Sequence, residues 1–136
     1  MMRVLKPGGN FILAEMHQDG QIEAELTTVF LHHWAASVDS ALGNIHNKTL
    51  SRQELLGLVA DLGMSHVEYF DQSDRNSDPM DKKMLERLDN IIVSTIQKAE
   101  KAASYEKLKQ QGEMLYQRLH KVGACREPLL VIVAQK

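Results

Sequence analysis

LKPGGNFILAEM, residues 5–16, is the stretch that decides the fold of this chain. Pro7 cannot continue a helix because its ring removes a backbone donor, and Gly8 and Gly9 tolerate positive φ. A helix that arrives from the N-terminus must therefore end before this turn. Residues 10–16 follow as a short apolar run with an acidic exit, which favours a strand buried on both faces, as in a parallel sheet.

The composition is that of an ordinary globular protein. Of the 136 residues, 43% are hydrophobic and 25% are charged, and the formal net charge is −2. So small a charge gives no general attraction to nucleic acid or to an anionic membrane. Cys125 is the single cysteine, which excludes an intrachain disulfide and fits a reducing, cytoplasmic compartment. No apolar run approaches the roughly 20 residues of a membrane helix, and the first residues lack the pattern of a signal peptide.

Hydrophobic periodicity and turn residues divide the chain into three strands and four helices. We expect strands at residues 10–16, 64–70 and 128–135, and helices at residues 21–42, 51–62, 79–101 and 104–122. The last strand is expected to be central, because a proline opens a run of apolar, partly β-branched residues. Residues 102–104 leave open whether the last two helices are separate, although an antiparallel pair would bury both apolar stripes.

Two of the helices carry start signals. Ser51 and Glu54 form a capping box for the helix at 51–62, and Asp78 is the expected N-cap of the third helix, with Pro79 at its first position. The apolar stripe of the 51–62 helix is expected to be buried; it consists of Leu55, Leu58, Val59 and Leu62.

The opening turn and the order of elements resemble the C-terminal half of a class I S-adenosylmethionine-dependent methyltransferase. In that family a Leu-Lys-Pro-Gly-Gly turn, here residues 5–9, precedes the fifth strand. The sixth strand follows a helix of the 51–62 kind, and the seventh returns antiparallel between the fifth and sixth. The resemblance implies a partial, Rossmann-like α/β fold in a single domain over residues 1–136. The helix at 21–42 and a helical hairpin at about 79–122 would be insertions.

The resemblance also implies a cofactor and a reaction. An intact parent would transfer a methyl group from S-adenosylmethionine to a small molecule. The family's glycine-rich loop and ribose-binding acidic residue have no counterpart here, so no residue of this chain inherits a cofactor-binding role. Gly8 and Gly9 lack the G-x-G-x-x-G spacing and the following helix, and we interpret them as a tight turn. We expect the isolated chain neither to bind the cofactor nor to catalyse.

Four residues are candidates for the substrate side of such a parent. Glu15 and His17 end the first strand, at the edge where doubly wound folds bind ligands, and would be placed to orient or deprotonate an acceptor. An ordinary polar strand exit is the alternative. His33 and Trp34 lie on the first inserted helix, and such helices often cover the substrate pocket in the family. Trp34 is expected in a pocket wall or in the core. Because His32 and His33 point about 100° apart on a helix, we expect no shared metal ion.

Two functions remain open at this point. The chain is either an enzyme fragment that lacks its N-terminal half, or a stand-alone, non-catalytic module that self-associates or binds a partner. In both cases the strand at 10–16 lacks its usual neighbour, and bare strand edges attract other strands. We therefore expect a homo-oligomer, in the simplest case an isologous dimer, with no nucleic acid and no membrane as partner.

Overall fold

The computed structural model describes residues 5–73 and 76–136 as an α/β arrangement of strands and helices. In chain order the elements are β1 (Asn10–Met16), α1 (Glu23–Ala41), α2 (Arg52–Asp61), β2 (Ser65–Gln72), α3 (Lys82–Ala99), α4 (Tyr105–Val122) and β3 (Leu129–Gln135). The expected strand at 10–16 coincides with β1, and the other bounds differ by at most three residues. The helix end predicted before Pro7 falls largely on residues 1–4, outside the described ranges. No helix within those ranges is both long and apolar enough to cross a lipid bilayer.

The Pro-Gly-Gly turn starts β1 as predicted. The backbone N–H of Gly9 donates to the carbonyl of Lys6 over 2.9 Å, and Gly8 adopts a φ of 76°. Gly8 also donates to the carbonyl of Lys136 over 2.7 Å, and the N–H of Lys136 donates to Gly9 over 3.1 Å. The turn is therefore joined to the end of β3 through its own backbone.

The three strands form one antiparallel sheet in the order β1-β3-β2. Ile132 of β3 lies between Leu13 of β1 and Tyr69 of β2 in the register. Both outer strands run antiparallel to β3, so they run parallel to each other. The central position expected for the last strand is confirmed. The expectation that β1 is buried on both faces is wrong, since Ile12 is 67% exposed; a short apolar run does not disclose how many faces are covered.

Helix α2 covers one face of the sheet. Leu55 and Val59 are buried and pack in one cluster with Ile132. Leu58 and Leu62, which were expected in the same stripe, are instead 53% and 39% exposed. Because the sheet under α2 is three strands wide, only the side chains of α2 that point directly at the sheet are buried.

The other face of the sheet carries apolar side chains without a helix over them. Ile12 lies opposite Val133, and Phe70 lies opposite Val131, which places all four on the face that points away from α2. Ile12 and Phe70 are 67% and 55% exposed. Among the described residues no helix packs across this face.

Helices α1, α3 and α4 form a three-helix bundle beside the sheet. Helices α3 and α4 are separate, because the chain turns between them with hydrogen bonds from Ala102 to Ala99 and from Tyr105 to Ala102. The bundle core contains buried residues from all three helices; among them are Leu31, Trp34, Val38, Leu88, Ile92, Leu108 and Leu119.

The predicted start of α2 is confirmed, whereas the predicted start of α3 is wrong. The capping box of Ser51 and Glu54 is present as predicted. Helix α3 begins later than expected, at Lys82, because Asp81 is the N-cap and accepts from the N–H of Met84 over 2.9 Å. Asp78 instead accepts from the N–H of Met80 in the preceding turn. Two aspartates three residues apart both fit a cap, and the sequence does not distinguish them.

Candidate functional site

His17, at the end of β1, is enclosed by its neighbours. Its side chain is 2% exposed, and its Nδ1 accepts from the backbone N–H of Asp19 over 3.3 Å. The neutral ring therefore carries its proton on Nε2. Nε2 lies 3.2 Å from Oδ1 of Asp71, which is within ion-pair distance, but the contact does not have the geometry of a hydrogen bond. The side-chain amide of Gln21 donates to the His17 carbonyl.

Asp71 and Arg52 complete this cluster. Asp71 lies near the end of β2 and pairs with the guanidinium of Arg52, the first residue of α2. The backbone N–H of Arg52 donates to the carboxylate of Asp19 over 2.5 Å. The cluster thus ties together the carboxyl ends of β1 and β2 and the start of α2. The exposed Arg52–Asp71 pair adds little stability by itself, about 0–1 kcal/mol.

Glu15 lies beside this cluster without joining it. Its side chain is exposed and makes no hydrogen bond or ion pair within the described part of the chain. The structure therefore brings Glu15 and His17 to one edge of the sheet, as predicted. His17 is closed to solvent and serves there as a structural tie, so of the two only Glu15 is open to a ligand. A role for either in acid–base chemistry stays a prediction.

His33 and Trp34 line a cleft of about 480 Å³ between α1 and α4. This cleft, which we call the α1–α4 cleft, is lined by Phe30, His33, Trp34 and Ser37 of α1, by Lys48 of the following loop, and by Gln111, Met114, Leu115 and Arg118 of α4. Its volume lies in the range of small-molecule pockets.

Trp34 forms the floor of the cleft and is rigidly held. It is 5% exposed, and its indole N–H donates to the carbonyl of Leu108 over 2.9 Å. Gly112 of α4 lies against the ring, so close that an added Cβ would stand 2.6 Å from Cζ2 of Trp34. Only glycine permits this approach of α4 to the indole. Trp34 therefore belongs both to the bundle core and to the wall of the cleft.

His33 is neutral at pH 7. Its pKa is lowered from 6.5, first by burial and then by the neighbouring His32 and Lys48. Its Nε2 is hydrogen-bonded to the hydroxyl of Thr49, which holds the loop after α1 against the helix. The ring supplies a hydrogen-bonding edge to the cleft and no charge.

Two cations reach the α1–α4 cleft, and they differ in their partners. Arg118 donates to Glu23 over 2.6 Å and to Thr27 over 3.2 Å, and its guanidinium lies 5.1 Å from the ring centroid of Phe30. Lys48 has no ion-pair partner within residues 5–73 and 76–136. No carboxylate of the described chain lines the cleft. An uncompensated positive charge therefore faces it.

The remaining histidines of this region are engaged elsewhere. His46 pairs with Asp39 over 2.6 Å, and Lys98 pairs with the same carboxylate. His32 lies edge-on to His46, with ring centroids 4.8 Å apart, and its Nε2 is 3.2 Å from the carbonyl of Asn47. In the ranges that the structure describes, no three His, Cys, Asp or Glu side chains are grouped as a metal site requires.

Sequence reasoning found part of each site. It identified His17 at the strand end and His33 and Trp34 on the helix that the structure shows as α1. It missed Asp71, Lys48 and Arg118, because their contacts join residues far apart in the chain. The available signal was only that Asp71 directly follows a predicted strand.

The chain was compared with models of known protein families and with curated proteins. It matches none of them.

Proposed function

We propose that this chain forms the acceptor side of a class I S-adenosylmethionine-dependent methyltransferase that acts on a small molecule. The observation that carries the proposal is the sheet order. The last strand, β3, lies antiparallel between β1 and β2, which is the arrangement implied for the fifth, seventh and sixth strands. This order accompanies the Leu5–Gly9 turn directly before β1.

The open face of the sheet supports the same proposal. Sheets of doubly wound proteins carry helices on both faces, whereas among the helices that the structure describes, α2 alone lies across the sheet, on one face. Exposed Ile12 and Phe70 are the kind of apolar surface that a second helical layer covers. A cofactor-binding half with its own strands and helices would supply that layer and pair with the free edge of β1.

The residues present do not fit the cofactor itself. The glycine-rich turn is occupied by its own backbone bonds, since Gly8 and Gly9 pair with Lys136. No helix follows it whose N-terminus would face a ligand, because β1 comes next. The proposal therefore assigns this chain the acceptor side only. There, binding and orientation of the acceptor supply most of what a nucleophilic acceptor needs for methyl transfer.

The test begins with the coding DNA directly upstream of the Met1 codon. We expect a glycine-rich strand–loop–helix there, in frame or in a shifted frame. The joined polypeptide is then titrated with S-adenosylmethionine by calorimetry, with residues 1–136 alone as the matched control. Saturable binding by the joined polypeptide and none by the control supports the proposal. Binding by residues 1–136 alone, or no such upstream motif, contradicts it.

A second function, a self-associating module, is favoured by one observation. Within the described ranges, β1 has a strand neighbour on one side only, and its exposed Ile12 lies on the open face of the sheet. Two copies would pair through these edges in an isologous dimer. Light scattering at high concentration tests this: we expect a dimer that Ile12→Lys converts to monomer, whereas a monodisperse wild-type monomer would contradict the module.

A further inference from the structure

We propose that the α1–α4 cleft binds a small organic carboxylate with a flat apolar body. The inference comes from one cleft that combines aromatic and aliphatic walls with Lys48, which has no ion-pair partner among the described residues. That such a ligand binds is inferred from the residues of this cleft alone. That the ligand is the methyl acceptor rests, in addition, on the proposed function.

The walls of the cleft select an apolar body. Met114 on α4 is 63% exposed and Phe30 on α1 is 40% exposed, although both are large apolar side chains. Both line the cleft together with the buried indole of Trp34, Phe30 from α1 and Met114 from α4. A ligand that lies over Trp34 would remove apolar surface of both side chains from water, which favours binding.

The charges select a single negative group. Arg118 is neutralised by Glu23, and the His33 ring is neutral at pH 7. Of the two cations that line the cleft, Lys48 has no ion-pair partner among the described residues, and no described acidic side chain lines the cleft. Ser37 and Gln111 add neutral hydrogen-bonding groups. A carboxylate near Lys48 would form a charge-assisted hydrogen bond, which is about twice as strong as a neutral one.

Trp34 reports on this cleft directly, because it is the only tryptophan of the chain. The experiment follows its fluorescence during titration with 3-phenylpropionate, without any S-adenosylmethionine. 3-Phenylpropanamide, which has the same body and no charge, is the matched ligand. We expect saturable binding of the carboxylate and at least tenfold weaker binding of the amide, the loss of one charge-assisted bond.

Two variants and one control locate the binding. Lys48→Gln is expected to weaken carboxylate binding about tenfold and to leave the amide unchanged. Met114→Glu, at an exposed position, is expected to abolish carboxylate binding. Lys101→Gln, at an exposed lysine between α3 and α4, should bind as the wild type does. Circular dichroism checks that each variant is folded.

Three results would overturn the inference. The first is the absence of a saturable fluorescence change at millimolar ligand. The second is equal affinity for the carboxylate and the amide. The third is an equal effect of Lys48→Gln and Lys101→Gln on carboxylate affinity. None of them bears on the upstream coding sequence or on cofactor binding by the joined polypeptide. Failure of the cleft and failure of the methyltransferase proposal are therefore distinguishable.

Discussion

Replacing Gly112 with alanine tests how closely α1 and α4 are packed. The new Cβ would stand 2.6 Å from Cζ2 of Trp34 and 2.9 Å from Cγ1 of Ile96. The indole cannot step aside cheaply, because it is buried and hydrogen-bonded to Leu108. We take the upper end of the overpacking cost, about 3 kcal/mol. Alanine recovers about 1 kcal/mol of helix propensity, which leaves a net loss of about 2 kcal/mol.

The assay is reversible urea and thermal unfolding, followed by circular dichroism in every variant and by Trp34 fluorescence in those that retain the tryptophan. A loss of about 2 kcal/mol corresponds to a fall in Tm of about 7 °C for a domain of this size. Gly57→Ala is the matched control, because Gly57 lies within α2 with no atom within 4 Å of an added Cβ. Its expected effect has the opposite sign, a gain of about 0.5–1 kcal/mol.

A double-mutant cycle isolates the contact. Trp34→Phe removes the ring atoms nearest to residue 112, so Gly112→Ala should cost much less in that background. The reasoning is refuted if Gly112→Ala stabilises the chain as Gly57→Ala does. It is also refuted if its cost is the same with tryptophan and with phenylalanine at position 34.

Three further predictions concern the sheet and the titrating groups. Ile132→Ala, at a fully buried site of β3, should cost about 2–5 kcal/mol in urea unfolding, whereas Ile12→Ala, at a 67% exposed site, should change stability by less than about 0.5 kcal/mol. Burial above all holds the pKa of His33 below 6.5. The contribution of the neutral ring to stability is therefore complete above pH 6.5 and is lost as the pH falls below 6.5. The free energy of unfolding, measured from about pH 8 to pH 5, should depend less on pH in His33→Gln than in the wild type. Lys98 above all holds the pKa of Asp39 below 3.8, so the stability that the Asp39 carboxylate contributes is present above pH 3.8 and is lost as the pH falls through the lowered pKa. Asp39→Asn should therefore flatten the fall of the free energy of unfolding at acid pH. An unchanged fall would show that the Asp39–Lys98 pair contributes nothing to stability.

The secondary structure was largely predictable because it depends on local signals. The glycine turn and the acidic exit delimit β1, and the reciprocal hydrogen bonds of Ser51 and Glu54 start α2. Where two local signals compete, as at Asp78 and Asp81, pattern reasoning chose the wrong one. The turn before α3 is also held from a distant part of the chain, since the carbonyl of Pro79 accepts from the N–H of Ala124, just after α4.

The candidate sites were predictable only in part. Trp34 was expected in a pocket wall or in the core, and it lies in the bundle core and in the wall of the cleft. A substrate role for His33 or Trp34 stays a prediction. The cations that complete the cleft come from a loop and from α4, 14 and 84 residues after Trp34 in the sequence. No spacing rule relates such distant positions, so the charge of the cleft was not accessible from the sequence.

Local chemistry in the sequence by itself determined where the strands and helices begin and end, because turns, caps and hydrophobic periodicity act over a few residues. Only the tertiary structure decided which faces are covered. It left Ile12 in solvent and buried His17, and it placed Lys48 in one cleft with Trp34, with no described carboxylate lining that cleft. The physical reason is that burial and pairing depend on neighbours supplied by distant parts of the chain. The stretch that starts β1 therefore specifies a strand, and the packing around it determines what that strand can bind.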